Sequence, residues 1–218
     1  MRVLVARGTG ELRDVEPRRS VPEMAEDAAE LLDGRAAHLV GLSMGGYVSL
    51  TLALNRPELV RSLFLIGTGA GGPDRVPRPA HIRTAYEDAV QLPVGEYERV
   101  TQPLSLAPGW PEANPERFDE IIAARVADAR TLDTMWAHLD ACYGYYSAAI
   151  PVERIDAPAL VLHGSEDVVV PPENGRMLAA RLRNAEYVEL EGAGHNIPLE
   201  SPEDVAQRIG SWVSHASL

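Results

Sequence analysis

The sequence predicts an α/β fold, a mostly parallel sheet with helices on both faces and a helical insertion. Three observations predict it. Short apolar runs alternate with amphipathic helical stretches, as a parallel sheet covered on both sides requires. Most of these runs end in a Gly-rich loop. Between the third and fourth runs, residues 73 to 150 contain no convincing strand, only helical patterns split by Pro and Gly.

The elements follow in order. Val3 to Val5 reads as a short buried strand, closed by the loop Arg7-Gly8-Thr9-Gly10. A helix from about 22 to 33 follows. Ser20 is its N-cap, Glu23 sits three residues on, and Gly34 closes it. His38 to Val40 is the second strand, broken by Gly41-Leu42-Ser43-Met44-Gly45-Gly46 before a helix from about Tyr47 to Asn55. Leu63 to Ile66 is the third strand. The middle block reads as helices over about 78–91, 95–105, 115–128 and 131–148. Strands return at Ala159 to His163 and Tyr187 to Leu190, with helices over about 173–182 and 202–214. The domain reading is therefore a core of residues 1–72 and 151–218 with an insertion at 73–150.

Composition narrows the function. The chain has 218 residues and a formal net charge of −12. Such acidity disfavours nucleic acid, which needs a basic face to replace phosphate counterions, and disfavours docking on an anionic membrane. The single cysteine, Cys142, allows no intrachain disulfide and no Cys-based metal cluster, and its apolar helical setting suggests an inert thiol. No signal peptide or membrane span is legible, so a cytoplasmic location is the expectation.

Three short segments carry chemistry. Gly41-Leu42-Ser43-Met44-Gly45 is G-x-S-x-G between a strand and a helix, the setting of a nucleophile elbow. There the serine is pushed clear of the sheet, and Gly41 and Gly45 leave room for the sharp turn. The Met44 amide, at the helix N-terminus, is a candidate oxyanion donor. Asp167 lies beyond the fourth strand run, where open α/β sheets place their reactive groups, with Glu166 as a competing carboxylate and His163 as a structural residue. His195 sits in the Gly-rich loop after the last run. A serine hydroxyl is a poor nucleophile until a base takes its proton, and the base needs a carboxylate to hold its tautomer. Ser43, Asp167 and His195, in that chain order, supply such a set.

Val40 to Gly46, Leu162 to Asp167 with Val170-Pro171, and Gly192 to His195 together resemble the α/β-hydrolase superfamily, most nearly its capped esterase and lactonase members. The resemblance implies hydrolysis of a small-molecule carboxylic ester or lactone through an acyl-Ser43 intermediate, with no metal or organic cofactor. It also implies that 73–150 is a cap that shapes the substrate pocket. Trp110, Trp136, Tyr143, Tyr145 and Tyr146 are candidates for its lining, with core packing the expectation for most of them; Trp136 and Tyr143 are the candidate substrate-binding residues. A non-catalytic small-molecule binder of the same fold is the alternative.

Measured against that family, the chain begins at what is usually the fourth strand and has no His-Gly oxyanion loop. The expectation is then that Val3 to Val5 pairs in parallel with His38 to Val40 as an edge strand. The loop Arg7 to Gly10 would offer the amide of Gly8 or Thr9 as a substitute oxyanion donor.

Overall fold

The computed structural model describes residues 1–128 and 130–216; Ala129, within the expected cap, and Ser217–Leu218, at the end of the expected core, lie outside the described residues. The sheet has four strands, β1 (Ala37–Leu42), β2 (Val60–Ile66), β3 (Ala159–Gly164) and β4 (Ala185–Leu190), in the spatial order of the chain. Each neighbouring pair is parallel.

Helix α1 (Val21–Leu32) precedes β1, and α2 (Met44–Asn55) links β1 to β2. The Ser20 side chain accepts from the Glu23 amide and donates to the Glu23 carboxylate at 2.7 Å, so the reciprocal cap read from the sequence forms. At the other end, Asp33 (φ 52°) already takes the left-handed conformation, one residue before Gly34.

Between β2 and β3 the described residues hold only helices and turns: α3 (Ala80–Ala89), α4 (Val94–Thr101), α5 (Trp110–Ala113), α6 (Pro115–Ala127) and α7 (Leu132–Ser147). Helix α8 (Pro172–Arg181) joins β3 to β4, and α9 (Ile197–Glu200) and α10 (Pro202–His215) end the chain.

Strand alternation builds two cores. Leu63 and Leu65 of β2 and Ala159 and Val161 of β3 point to one face, where Met24 of α1, Leu50 of α2, Ala141 of α7 and Leu178 of α8 meet them. The residues between them, Phe64, Ile66, Leu160 and Leu162, point to the other face and pack on Ile197 and Val205 of α9 and α10. Helix α2 is buried from Gly46 to Ala53, which its lack of a polar face requires.

The expected strand at Val3 to Val5 does not form. β1 and β4 are the two edges of the sheet, and residues 1–6 carry no regular structure. Val3 is 69% exposed and Leu4 38%. The segment is tied to α1 instead. Arg7 donates through Nε and an amine to the two oxygens of Asp27, each at 2.9 Å, and Arg2 reaches the Leu31 carbonyl. A three-residue edge strand gains few ladder bonds. A two-pronged guanidinium–carboxylate pair, reinforced by Arg18 on the same Asp27 at 2.8 Å, holds the chain more firmly on the helix.

Candidate active site

The site gathers at the carboxyl ends of β1, β2, β3 and β4. Ser43 closes β1 and caps α2 with φ 51° and ψ −116°, a backbone that L-residues rarely adopt. Three contacts hold it there. Its amide donates to the Ile66 carbonyl at 2.8 Å, its carbonyl accepts from the Gly46 amide at 2.9 Å, and the buried Thr68 hydroxyl donates to that carbonyl at 3.0 Å. Gly41 is required by space: a Cβ there would lie 2.4 Å from the Gly45 carbonyl oxygen. The expected crowding at Gly45 is absent, because a Cβ on it would meet nothing within 4 Å; the tight partner is Gly46, against Thr68. The elbow crowds its own backbone on the strand side only, since Gly45 already sits on the turning face of the helix.

Asp167 stands in the turn after β3 and is 3% exposed. One carboxylate oxygen accepts from the amides of Val169 and Val170 at 2.9 and 2.8 Å. The other faces His195 Nδ1 at 2.7 Å and His163 Nε2 at 3.2 Å. Burial pushes this carboxyl up, but the charge of His195 and the hydrogen bonds from His163 and His195 outweigh it and hold Asp167 well below the usual carboxylate range. Glu166 is exposed, so the carboxylate that meets His195 belongs to Asp167. His163 is more than filler: fully buried, it braces Asp167 and donates from the same nitrogen to the Val170 carbonyl at 2.8 Å.

His195 is 6% exposed and its loop is docked on the segment between β2 and β3. Asn196 donates through its amide to the Ser105 carbonyl at 2.8 Å and through its side chain to the Ser105 hydroxyl at 2.7 Å. The turn after β2 joins the parts. Gly67 (φ 53°) lets the chain pass where a Cβ would lie 3.0 Å from His195 Nδ1 and 3.3 Å from the Asp167 carboxylate, while Ile66 and Thr68 on either side hold Ser43. Ser43, Asp167 and His195 are thus brought to one place. No hydrogen bond joins Ser43 to His195 among the described residues. The signal for Gly67 and Thr68 lay in the Gly-rich run after β2, at a strand end beside the serine.

The Met44 amide opens α2 and has no acceptor among the described residues, as a donor reserved for a ligand would. The substitute donors are not available. Gly8 donates its amide to the Leu12 carbonyl at 2.9 Å and Thr9 to the Ala6 carbonyl at 3.1 Å. The loop closes on itself as a turn once the strand before it is lost.

A cavity of about 180 Å³ opens on Ser43, bounded by Tyr143 and Tyr146 of α7, Val170 and the segment around Arg75 to Arg78. Tyr143 is where the sequence places it. Trp136, 41% exposed, does not line this cavity: it stands two turns before Tyr143 on α7, short of the stretch from Leu139 to Tyr146 that walls it. Tyr145 is core, stacked on Tyr47 at 4.2 Å between ring centres. Cys142 lines the cavity, but burial pushes its thiol up to about 11 and leaves it protonated. A wider hollow of about 420 Å³ lies at the opposite end of the strands, near Val60, Arg154 and Asp156, and its lining holds no serine, cysteine or histidine.

Comparison with known proteins decides the family. The model of the alpha/beta hydrolase family matches residues 3–208. The chain is an α/β hydrolase. This hydrolase is 31% identical to RutD of Caulobacter segnis, named for carbamate hydrolysis, over 90% of this chain and 74% of that protein. It is 30% identical to the rhodomycin D methylesterase DnrP of Streptomyces peucetius, again over 90% of this chain and 74% of that protein. A thermophilic esterase from Thermogutta terrifontis, solved with malate bound, superposes on the hydrolase with a TM-score of 0.79 at 26% identity, covering 97% of this chain and 78% of that one. No described helix of the hydrolase is long and apolar enough to cross a membrane.

Proposed function

We propose that this α/β hydrolase cleaves carboxylic esters or lactones of small molecules through an acyl intermediate on Ser43. The observation that carries the reading is the buried Asp167–His195 pair, 2.7 Å apart, at the same end of the sheet as a serine held at φ 51°. Asp167 accepts the Nδ1 proton of His195, which leaves Nε2 with its lone pair free to act as base. Nε2 takes the Ser43 proton as Oγ attacks the carbonyl carbon. The oxyanion draws on the Met44 amide and the positive end of α2. The carbon–oxygen bond then breaks, and the leaving alkoxide takes the proton from His195. Water, deprotonated in turn by His195, releases the acid and restores Ser43.

The helices between β2 and β3 act as a cap over this centre, with Tyr143 on the pocket wall. The names of the relatives support ester-type substrates at family level. A non-catalytic binder is the second reading, favoured by the absence of a Ser43–His195 hydrogen bond and by the committed amides of Gly8 and Thr9. A fluorophosphonate separates the two. Stoichiometric labelling at Ser43, abolished in Ser43→Ala, is expected. A chain that stays unlabelled, or a Ser43→Ala variant that still labels, would refute the acyl-enzyme reading.

A further inference from the structure

The Ser43 cavity has a charge opposite to that of the molecule around it. The chain carries 32 acidic residues and 20 basic ones, and every basic residue is arginine. Three of those arginines, Arg75, Arg78 and Arg83, line the cavity, and no Asp or Glu does. Arg83 is partly neutralised by Glu87 at 3.8 Å. For Arg75 and Arg78, no carboxylate lies within 4.0 Å among the described residues.

These two side chains are also fixed in place. The Arg75 guanidinium lies 4.9 Å from the centre of the Tyr146 ring, and that of Arg78 lies 4.8 Å from the Tyr86 ring. Arg78 donates from Nε to the Val169 carbonyl at 3.0 Å, which leaves its terminal nitrogens without a protein acceptor among the described residues. The backbone between them is clamped. Buried Asn174 of α8 accepts from the Val76 amide and donates to the Val76 carbonyl, both at 2.9 Å. Two unneutralised guanidinium groups on an immobilised backbone form a ready site for a planar anion, since a guanidinium matches a carboxylate with two parallel hydrogen bonds.

We infer that the substrate of this site carries a free carboxylate, and that Arg75 and Arg78 bind it while the ester or lactone bond lies at Ser43. The inference rests on the serine-hydrolase reading for its chemistry, but not for the anion site itself. The test uses the 4-nitrophenyl hemi-esters of succinate, glutarate and adipate against neutral 4-nitrophenyl butyrate, with spontaneous hydrolysis subtracted. At least one hemi-ester should show a kcat/KM roughly tenfold or more above that of butyrate. Arg75→Gln or Arg78→Gln should lower that ratio by roughly tenfold, in line with the loss of a charged hydrogen bond. Arg78→Lys, which keeps the charge, should restore part of it. High salt should shrink the preference as steering is screened.

Calorimetry of glutarate on Ser43→Ala reads the anion site without turnover, with neutral dimethyl glutarate as control. Glutarate should bind, dimethyl glutarate should not, and both glutamine variants should weaken binding. If no hemi-ester outruns butyrate, or the Arg variants slow both ester types alike, or glutarate fails to bind Ser43→Ala, the carboxylate inference is wrong. If glutarate binds with the expected dependence but no ester is cleaved and Ser43 stays unlabelled, the anion site stands and the hydrolase reading falls.

Discussion

Ser43 is one of two non-glycine residues with positive φ among those described, the other being the helix-terminating Asp33. The positive-φ backbone at Ser43 costs on the order of 1–3 kcal/mol and is held by Ile66, Gly46 and Thr68. His138 of α7 stores a different kind of penalty. It is 8% exposed, its Nε2 has no partner among the described residues, and burial, followed by the charge of Arg130, lowers its pKa from 6.5 to about 4. Between those values the unfolded chain binds a proton that the folded chain refuses. Stability therefore falls as pH drops from 6.5 to 4, by up to about 3 kcal/mol from this residue alone. In His138→Gln that share of the decline should vanish in urea melts at pH 7 and pH 4. An unchanged pH slope would mean that His138 is protonated in the folded state. At this scale the meeting of the candidate residues Ser43, Asp167 and His195 at one end of the sheet was legible because each lies at a strand end in a distinctive short motif. His163, Thr68, Arg75 and Arg78 were not. Their contacts depend on which loops meet across the sheet, and a single sequence does not carry that information.

The elbow makes a sharper claim about elements than its motif does. Both glycines of G-x-S-x-G fit the pattern, yet only Gly41 faces its own chain, at 2.4 Å. Gly41→Ala should force the turn open, destabilise the protein by roughly 1–3 kcal/mol and abolish fluorophosphonate labelling. Gly45→Ala, with open space and a helical backbone, should be neutral or stabilise by up to about 1 kcal/mol. Equal losses in thermal unfolding would overturn the distinction. Most elements were readable from apolar periodicity, caps and Gly or Pro breaks, with ends displaced by a few residues. β1 begins one residue earlier than expected and β2 three. The exception was Val3 to Val5, whose β-rich composition suits a strand but whose neighbours settle the matter. Arg2 and Arg7 reach α1, and the exposed apolar residues follow them. Three apolar residues are too few for composition to outweigh two charged contacts.

At the scale of the molecule, the acid-rich surface and the arginine-lined cavity are two halves of one charge distribution, since the net charge of −12 sits around a mouth of opposite sign. The helical block and the parallel sheet were legible as architecture; the course of the cavity wall was not, because it is assembled from β-loops and helices far apart in sequence. The sheet itself has a further consequence. Leu65 of β2 belongs to one core and Leu162 of β3 to the other, and both are fully buried. Because consecutive residues of the same two strands wall both cores, neither side has a backbone of its own to keep when the other melts. Cooperativity should therefore span the sheet. Leu65→Ala and Leu162→Ala should each remove about 2–5 kcal/mol and lower one shared melting temperature by roughly 5–15 °C. A calorimetric trace in which either variant splits into two peaks would show that the two faces unfold apart. With a single peak, damage done far from Ser43, on the face of α10, reaches the Ser43 cavity as a change in how often the whole molecule is folded.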